Sequence, residues 1–222
     1  QYPLADIAVT PEEFAWFLDF FAAHYTPGDL ATLHQRWLAG ERPAKPFLAI
    51  TFDDGQLDNY LHAAPLLQAR GLTASFYVPI AALEANGSLW HDRVSYALQQ
   101  AMQHDAANTR RLLAELDLQG PDVAALLPQA VERLKPLPPE QRLAWVQRAE
   151  DSAGGPQRPP WDGMMSWTQL REMAERGHEI GSHSVSHDIL TLVDDAHLER
   201  ELVDSKRILE DKLQRPVETM CY

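Results

Sequence analysis

The stretch from residue 47 to residue 78 constrains the fold more than any other. It opens with Phe47-Leu48-Ala49-Ile50-Thr51-Phe52, a short apolar, partly β-branched run that ends at Asp53-Asp54-Gly55. A run of this length, closed by a turn sequence, reads as a buried strand. The pattern then predicts a helix over about 58–70, with Gly71 suited to its C′ position. Thr73-Ala74-Ser75-Phe76-Tyr77-Val78 is the next strand. Strand, helix and strand in this order imply a parallel βαβ unit, and so an α/β fold.

The flanking segments extend or interrupt that rhythm. Thr10-Pro11-Glu12-Glu13 carries a capping box with proline at N1, which predicts a helix start. Phe14, Phe17, Leu18 and Phe21 then recur at helical spacing, as a packing stripe does. From about 80 to 160 the chain is Leu/Ala-rich and helical, and prolines 121, 128, 136, 138 and 139 mark breaks. Ser166 and Gln169 form a second capping box, and Gly177 ends the helix that follows. A short strand at 178–182, a long helix at about 194–213 and a strand start at 217–222 complete the reading. The domain organisation expected is therefore a first α/β part (1–80), a helical insertion (81–159) and a continuation of the α/β part (160–222).

Composition removes several classes of function. The chain has 222 residues, of which 45% are hydrophobic, enough for a sizeable single core with room for a subdomain. A formal net charge of −13 opposes nucleic-acid binding, which needs a basic face to displace counterions. A neutral or cationic partner fits better than an anionic one. The single cysteine, Cys221, rules out an internal disulfide framework and a Cys-based zinc site. No apolar run approaches the roughly 20 residues of a membrane-spanning helix. The chain begins with Gln1 rather than Met, as a processed or trimmed end would. The compartment is not readable, with a periplasmic or cell-envelope placement favoured.

Two motifs carry chemistry. Asp53 and Asp54 follow a strand end, and adjacent strand residues point to opposite faces. Both carboxylates can serve one site only where the strand has become a turn, which Gly55 permits. An Asp-Asp-Gly sequence is equally an ordinary solvated turn. His183-Ser184-Val185-Ser186-His187 places histidines at i and i+4, on one face if the segment is a helical turn. Two unrelated histidines at a surface or core edge would look the same. Together the motifs offer one carboxylate and two imidazoles, a ligand set that leaves positions open for water and substrate. Both follow predicted parallel strands, at the end where α/β barrels place catalytic residues.

These residues resemble a known family. Thr51-Phe52-Asp53-Asp54-Gly55 is similar to the first motif of the polysaccharide deacetylases with a NodB-homology domain, carbohydrate esterase family 4. His183-Ser184-Val185-Ser186-His187 is similar to their second motif. Thr73 to Pro79 resembles the family's second strand, and Gly177 to Ser182 resembles the approach to its histidines. Trp90-His91-Asp92-Arg93 resembles the start of a helical insertion found in exopolysaccharide deacetylases of this superfamily. The resemblance implies a deformed (β/α) barrel, with Asp53 as general base and Asp54, His183 and His187 as ligands of a divalent metal. Zinc is the default for that set, with cobalt, nickel or manganese as alternatives. The implied substrate is an N-acetylated glycan.

Other readings stay open. A small non-sugar amide could be hydrolysed at the same site, and a non-catalytic glycan-binding module could keep the motifs. Trp90, His91 and Asp92 are candidates for a sugar subsite or for packing, and Trp161 and Trp167 read as structural. His91, His178 and His197 read as solvated, as supports behind the ligands, or as structural. Met220-Cys221-Tyr222 matches only the start of the family's third motif, so the oxyanion donor and the general acid are not found by pattern. Only four core strands are counted, near 47, 73, 178 and 217, which leads us to expect a barrel truncated at its C-terminus and an unclosed sheet beside 217–222.

Overall fold

The computed structural model describes residues 8–85, 87–160 and 163–222. In chain order the first elements are α1 (Pro11–His24), β1 (Thr26–Gly28), α2 (Leu30–Leu38), β2 (Phe47–Ala49), β3 (Thr51–Phe52), α3 (Ala64–Gln68), β4 (Ser75–Val78) and α4 (Ile80–Ala85). Four helices follow: α5 (Trp90–His104), α6 (Ala106–Glu115), α7 (Val123–Leu134) and α8 (Pro139–Ser152). The chain ends with α9 (Trp167–Glu175), β5 (Glu179–Ser182), α10 (Asp195–Glu199) and α11 (Ser205–Leu213). These elements form two compact units. One comprises Val9–Gly87, Gly163–His187 and Ala196–Tyr222, and the other is built on Ser88–Asp162 and Asp188–Asp195.

The first unit holds a parallel sheet. β1 pairs with β2, β3 with β4, and β4 with β5, all parallel. The two ladders meet at Ile50, whose N–H donates to Gly28 and whose carbonyl accepts from Ser75. Residues 47–52 thus act as one strand, as the apolar run predicts. β1 is an addition: Thr26-Pro27-Gly28 has a proline and a glycine and no strand signal, yet it pairs along its length. At the other edge Met220 bridges to Ser182. Among the described residues no pairing joins that edge to β1, so the sheet is open rather than a closed barrel.

The core of this unit is the sheet covered by helices. Leu67, Phe76, Val78, Leu170, Met173 and Leu209 are fully buried. Burying each such side chain contributes roughly 1.5–3 kcal/mol. Both predicted capping boxes are present, Thr10 with Glu13 and Ser166 with Gln169. The stripe on α1 is only partly a packing stripe. Leu18 is buried and Phe14 and Phe21 are half-buried, but Phe17, with Trp16 and Phe20, is exposed. Only one row of a helix packed on a sheet edge can face the core.

Two predicted helices are not uniform. Over 58–70 the chain makes a π-helical stretch, Asn59–Ala63, before α3. Pro65 explains it: proline cannot donate to the carbonyl four residues back, and its ring crowds that carbonyl, so the preceding turn widens. Over 194–213 a second π-helical stretch, Arg200–Asp204, separates α10 from α11.

The second unit is helical, with a core that includes Val94, Leu98, Leu113, Leu127, Leu134, Trp145 and Val146. Pro128 lies inside α7 rather than at a break. An interior proline costs about 3 kcal/mol, and the buried face of α7, with Leu127 and Leu134 fully enclosed, offsets it. Arg93 makes a paired contact with the buried Glu150, both bonds at 2.9 Å. The buried Arg142 donates to Asp188 at 2.6 Å and lies over the Trp90 ring at 4.8 Å. Trp90 is therefore a packing residue.

Candidate metal centre

The first motif is shaped by left-handed backbone. β3 stops at Phe52, whose ring stacks on Phe76 at 4.8 Å. Asp54 has φ of 72° and Gly55 has φ of 67°. A Cβ on Gly55 would meet Val78 Cγ1 at 3.0 Å, so both conformation and space call for glycine there. The loop is pinned from the other side, because Met165 N–H donates to the Gly55 carbonyl at 3.0 Å and Leu57 N–H to Gly163 at 2.6 Å. Asp53 is exposed and Asp54 is half-buried. The strand has given way to a turn at the two carboxylates.

The histidines converge by a different route from the one expected. β5 carries the chain to Ser182, and His183 N–H continues the ladder to the Val78 carbonyl at 3.1 Å. The segment 183–187 is then not a helical turn. Ser184 has φ of 65° and His187 φ of 58°, a conformation L-residues enter at a cost. Side-chain oxygens replace the missing helical bonds. Ser182 Oγ accepts from Ser184 N–H at 3.2 Å, and Ser184 Oγ accepts from His187 N–H at 3.1 Å. Glu201 Oε2 accepts from Val185 N–H at 2.9 Å and Ser186 N–H at 2.8 Å.

The three predicted ligands meet. Asp54 Oδ1 lies 3.1 Å from His187 Nε2 and 3.4 Å from His183 Nε2. The two Nε2 atoms are 3.1 Å apart. Donor atoms sharing one first-row divalent ion at bond lengths of about 2.0–2.2 Å stand roughly 3.0–3.5 Å from one another. The observed triangle fits that requirement, and one oxygen with two imidazole nitrogens fits the chemistry. His183 is already oriented: its Nδ1 is 2.9 Å from the Cys221 carbonyl. A carbonyl only accepts, so Nδ1 carries a proton, and in the neutral ring the Nε2 lone pair on the Asp54 side is left for a metal. Burial is the largest single influence on the His183 ring and opposes its charge. The Asp54 hydrogen bond, the Cys221 carbonyl and the field of Asp54 and Asp53 together outweigh it, holding the pKa above its ordinary value.

Asp53 stands beside this triangle in the chain, and the Cys221 thiol approaches its Oδ2 at 3.5 Å. Burial, followed by the Asp53 charge, pushes the Cys221 thiol pKa up. The thiol is thus a neutral donor to the carboxylate. Glu201 is 2% exposed, and burial would raise its pKa. Its bonds from Ser186, Ser184 and Val185 overcome that and hold the carboxyl below its ordinary value.

Sequence reasoning missed Glu201 and the roles of Cys221. Glu201 is one of several acids on a charged helix, and nothing in its spacing marks it as inward-facing. Cys221 acts through a carbonyl, which every residue has. His197 approaches Glu201 Oε1 at 3.2 Å. His178 is buried, and its Nδ1 accepts the Ala74 N–H at 3.3 Å, so it is structural rather than solvated. Trp167 is half-buried under the Lys212 ammonium, and Trp161 lies outside the described residues. His91 and Asp92 lie 3.7 Å apart in the helical unit.

Residues 141–222 match the family model described as polysaccharide deacetylase. A sequence search of curated proteins gives no match. The fold is similar to that of the deacetylase PplD of Streptococcus pyogenes, solved in complex with acetate. That likeness has a TM-score of 0.58 at 17% identity, and covers 96% of this chain and 62% of that one. It is also similar to IcaB from Ammonifex degensii, with a TM-score of 0.51 at 16% identity over 96% of this chain and 66% of that one. At these identities the likeness is one of fold. The chain spans about two thirds or less of the length of either.

Proposed function

We propose that this chain, whose residues 141–222 match the polysaccharide deacetylase family model, removes N-acetyl groups from a polysaccharide with a divalent metal held by Asp54, His183 and His187. The observation that carries the proposal is the triangle of Asp54 Oδ1, His183 Nε2 and His187 Nε2, with edges of 3.1–3.4 Å, beside the exposed Asp53. A divalent ion held by these three residues would acidify a water molecule and stabilise negative charge on a carbonyl oxygen. Zinc suits one carboxylate and two imidazoles, and cobalt, nickel or manganese also fit.

The chain's own residues divide the remaining work. Asp54 neutralises part of the charge that two neutral imidazoles cannot. His183 is held in the ligating tautomer by the Cys221 carbonyl. Asp53 is the general base: it is exposed, and its Oδ2 accepts a hydrogen bond from a neutral thiol. A base placed there takes the proton of the attacking water. The amide substrate is neutral, as the net charge of −13 favours.

Acetate release from N-acetylglucosamine oligomers by the full-length protein, with and without added zinc, tests this reading. Metal-dependent release is expected. Metal-loaded protein that binds zinc yet releases no acetate from any N-acetylated glycan would contradict it.

A further inference from the structure

The loop 183–187 is held only in part by its own groups, through the Ser184 Oγ that accepts from His187 N–H. It has no helical or strand bonds of its own between His183 and His187, and two of its residues, Ser184 and His187, occupy left-handed backbone. Such residues persist only where surrounding structure over-determines them. Between the two histidines, the N–H groups of Val185 and Ser186 point at one oxygen, Glu201 Oε2, at 2.9 and 2.8 Å. Its other oxygen faces His197 at 3.2 Å. The carboxylate is almost fully buried. It occurs within the π-helical stretch Arg200–Asp204, where the helix is widened by one residue per turn. Such a widening shifts the register of the side chains after α10.

We propose that Glu201 is a positioning residue for the metal centre: it clamps the two amides between His183 and His187 so that both Nε2 atoms face Asp54. The inference rests on the metal reading above. A carboxylate that accepts two backbone N–H groups makes charge-assisted bonds, roughly twice as strong as neutral ones. It also fixes the direction of the peptide planes on either side, which sets where the histidine side chains emerge. Supporting groups of this kind typically change metal affinity by about 10–100-fold when removed.

The test is zinc affinity, measured by chelator competition on the full-length protein, with the metal-free thermal midpoint of each variant. Glu201→Leu keeps the volume and removes the acceptor, and is expected to weaken zinc binding about 10–100-fold. Glu201→Gln keeps a neutral acceptor and should fall between wild type and Leu, roughly fivefold weaker. Leu209→Ala, which lowers stability without touching the loop, should leave affinity unchanged. Amide exchange at Val185 and Ser186 should quicken in Glu201→Leu and, less, in Glu201→Gln. If Glu201→Leu does not fold, the Gln variant carries the same comparison. Unchanged zinc affinity and unchanged exchange at these amides, in variants of a protein that does bind zinc, overturns the clamp alone. A wild-type protein that binds no zinc overturns the metal reading with it.

Discussion

The Nδ1–H of His183 donates to the backbone carbonyl of Cys221 across 2.9 Å, joining the second motif to the last residues of the chain. This bond spans 38 residues of sequence and fixes which ring nitrogen faces Asp54. Cys221 is held in turn by the sheet, because its N–H donates to the Ser182 carbonyl at 3.0 Å. The orientation of one imidazole therefore depends on the pairing of the edge segment with β5.

Removal of both imidazoles should remove the metal. With His183→Ala and His187→Ala combined, only the Asp54 carboxylate is left of three donors. Elemental analysis of the dialysed protein is expected to show the loss of about one equivalent of divalent metal relative to wild type. Equal metal content in the two proteins would refute the ligand assignment.

Asp53→Asn should separate metal binding from turnover. The amide keeps the size of the carboxylate but cannot take a proton. Metal content should stay at the wild-type level while turnover drops by roughly 10²–10⁴-fold. Near-normal turnover would reduce Asp53 to a turn residue.

Gly181→Ala should destabilise the sheet. A Cβ at this position would stand 2.5 Å from two carbons of the Tyr77 ring and 2.9 Å from Thr219 Oγ1. Both neighbours are packed, so the strand must shift, at a cost of about 1–3 kcal/mol. Denaturant unfolding should show a lower midpoint, partly recovered by Tyr77→Leu in the same background. An unchanged midpoint in Gly181→Ala would mean the strand yields more easily than its packing implies.

His178 should make stability pH-dependent. Burial, reinforced by the Arg176 charge and opposed by Asp29, lowers its pKa below the ordinary value. The neutral ring accepts the Ala74 N–H. The unfolded chain then binds the proton more readily than the folded one below about pH 6.5. Stability from this group is complete above that pH and is lost as pH falls toward the lowered folded value. His178→Asn, which retains an acceptor without a titrating ring, should flatten the dependence of unfolding midpoint on pH between about 8 and 5. The same slope in both proteins would assign it to other groups.

What the residues determined unaided was local and chemical. The apolar run 47–52, the TASFYV segment and the two capping boxes are short-range signals, and each forms the element it predicts because burial and capping act within a few residues. The grouping of Asp54, His183 and His187 was suggested for the same reason: carboxylates and imidazoles are costly inside a protein, so their clustering after strands points to chemistry. Only the tertiary structure decided how they meet. The histidines converge through left-handed backbone rather than a helical turn, since the loop is held by the Ser182 and Ser184 hydroxyls and by Glu201 from a distant helix rather than by helical bonds. β1 forms despite its proline and glycine because an edge of the parallel sheet supplies the hydrogen bonds its sequence does not advertise. Cys221 and Glu201 act through backbone groups of other segments, and a bond to a carbonyl or an amide leaves no mark on residue type.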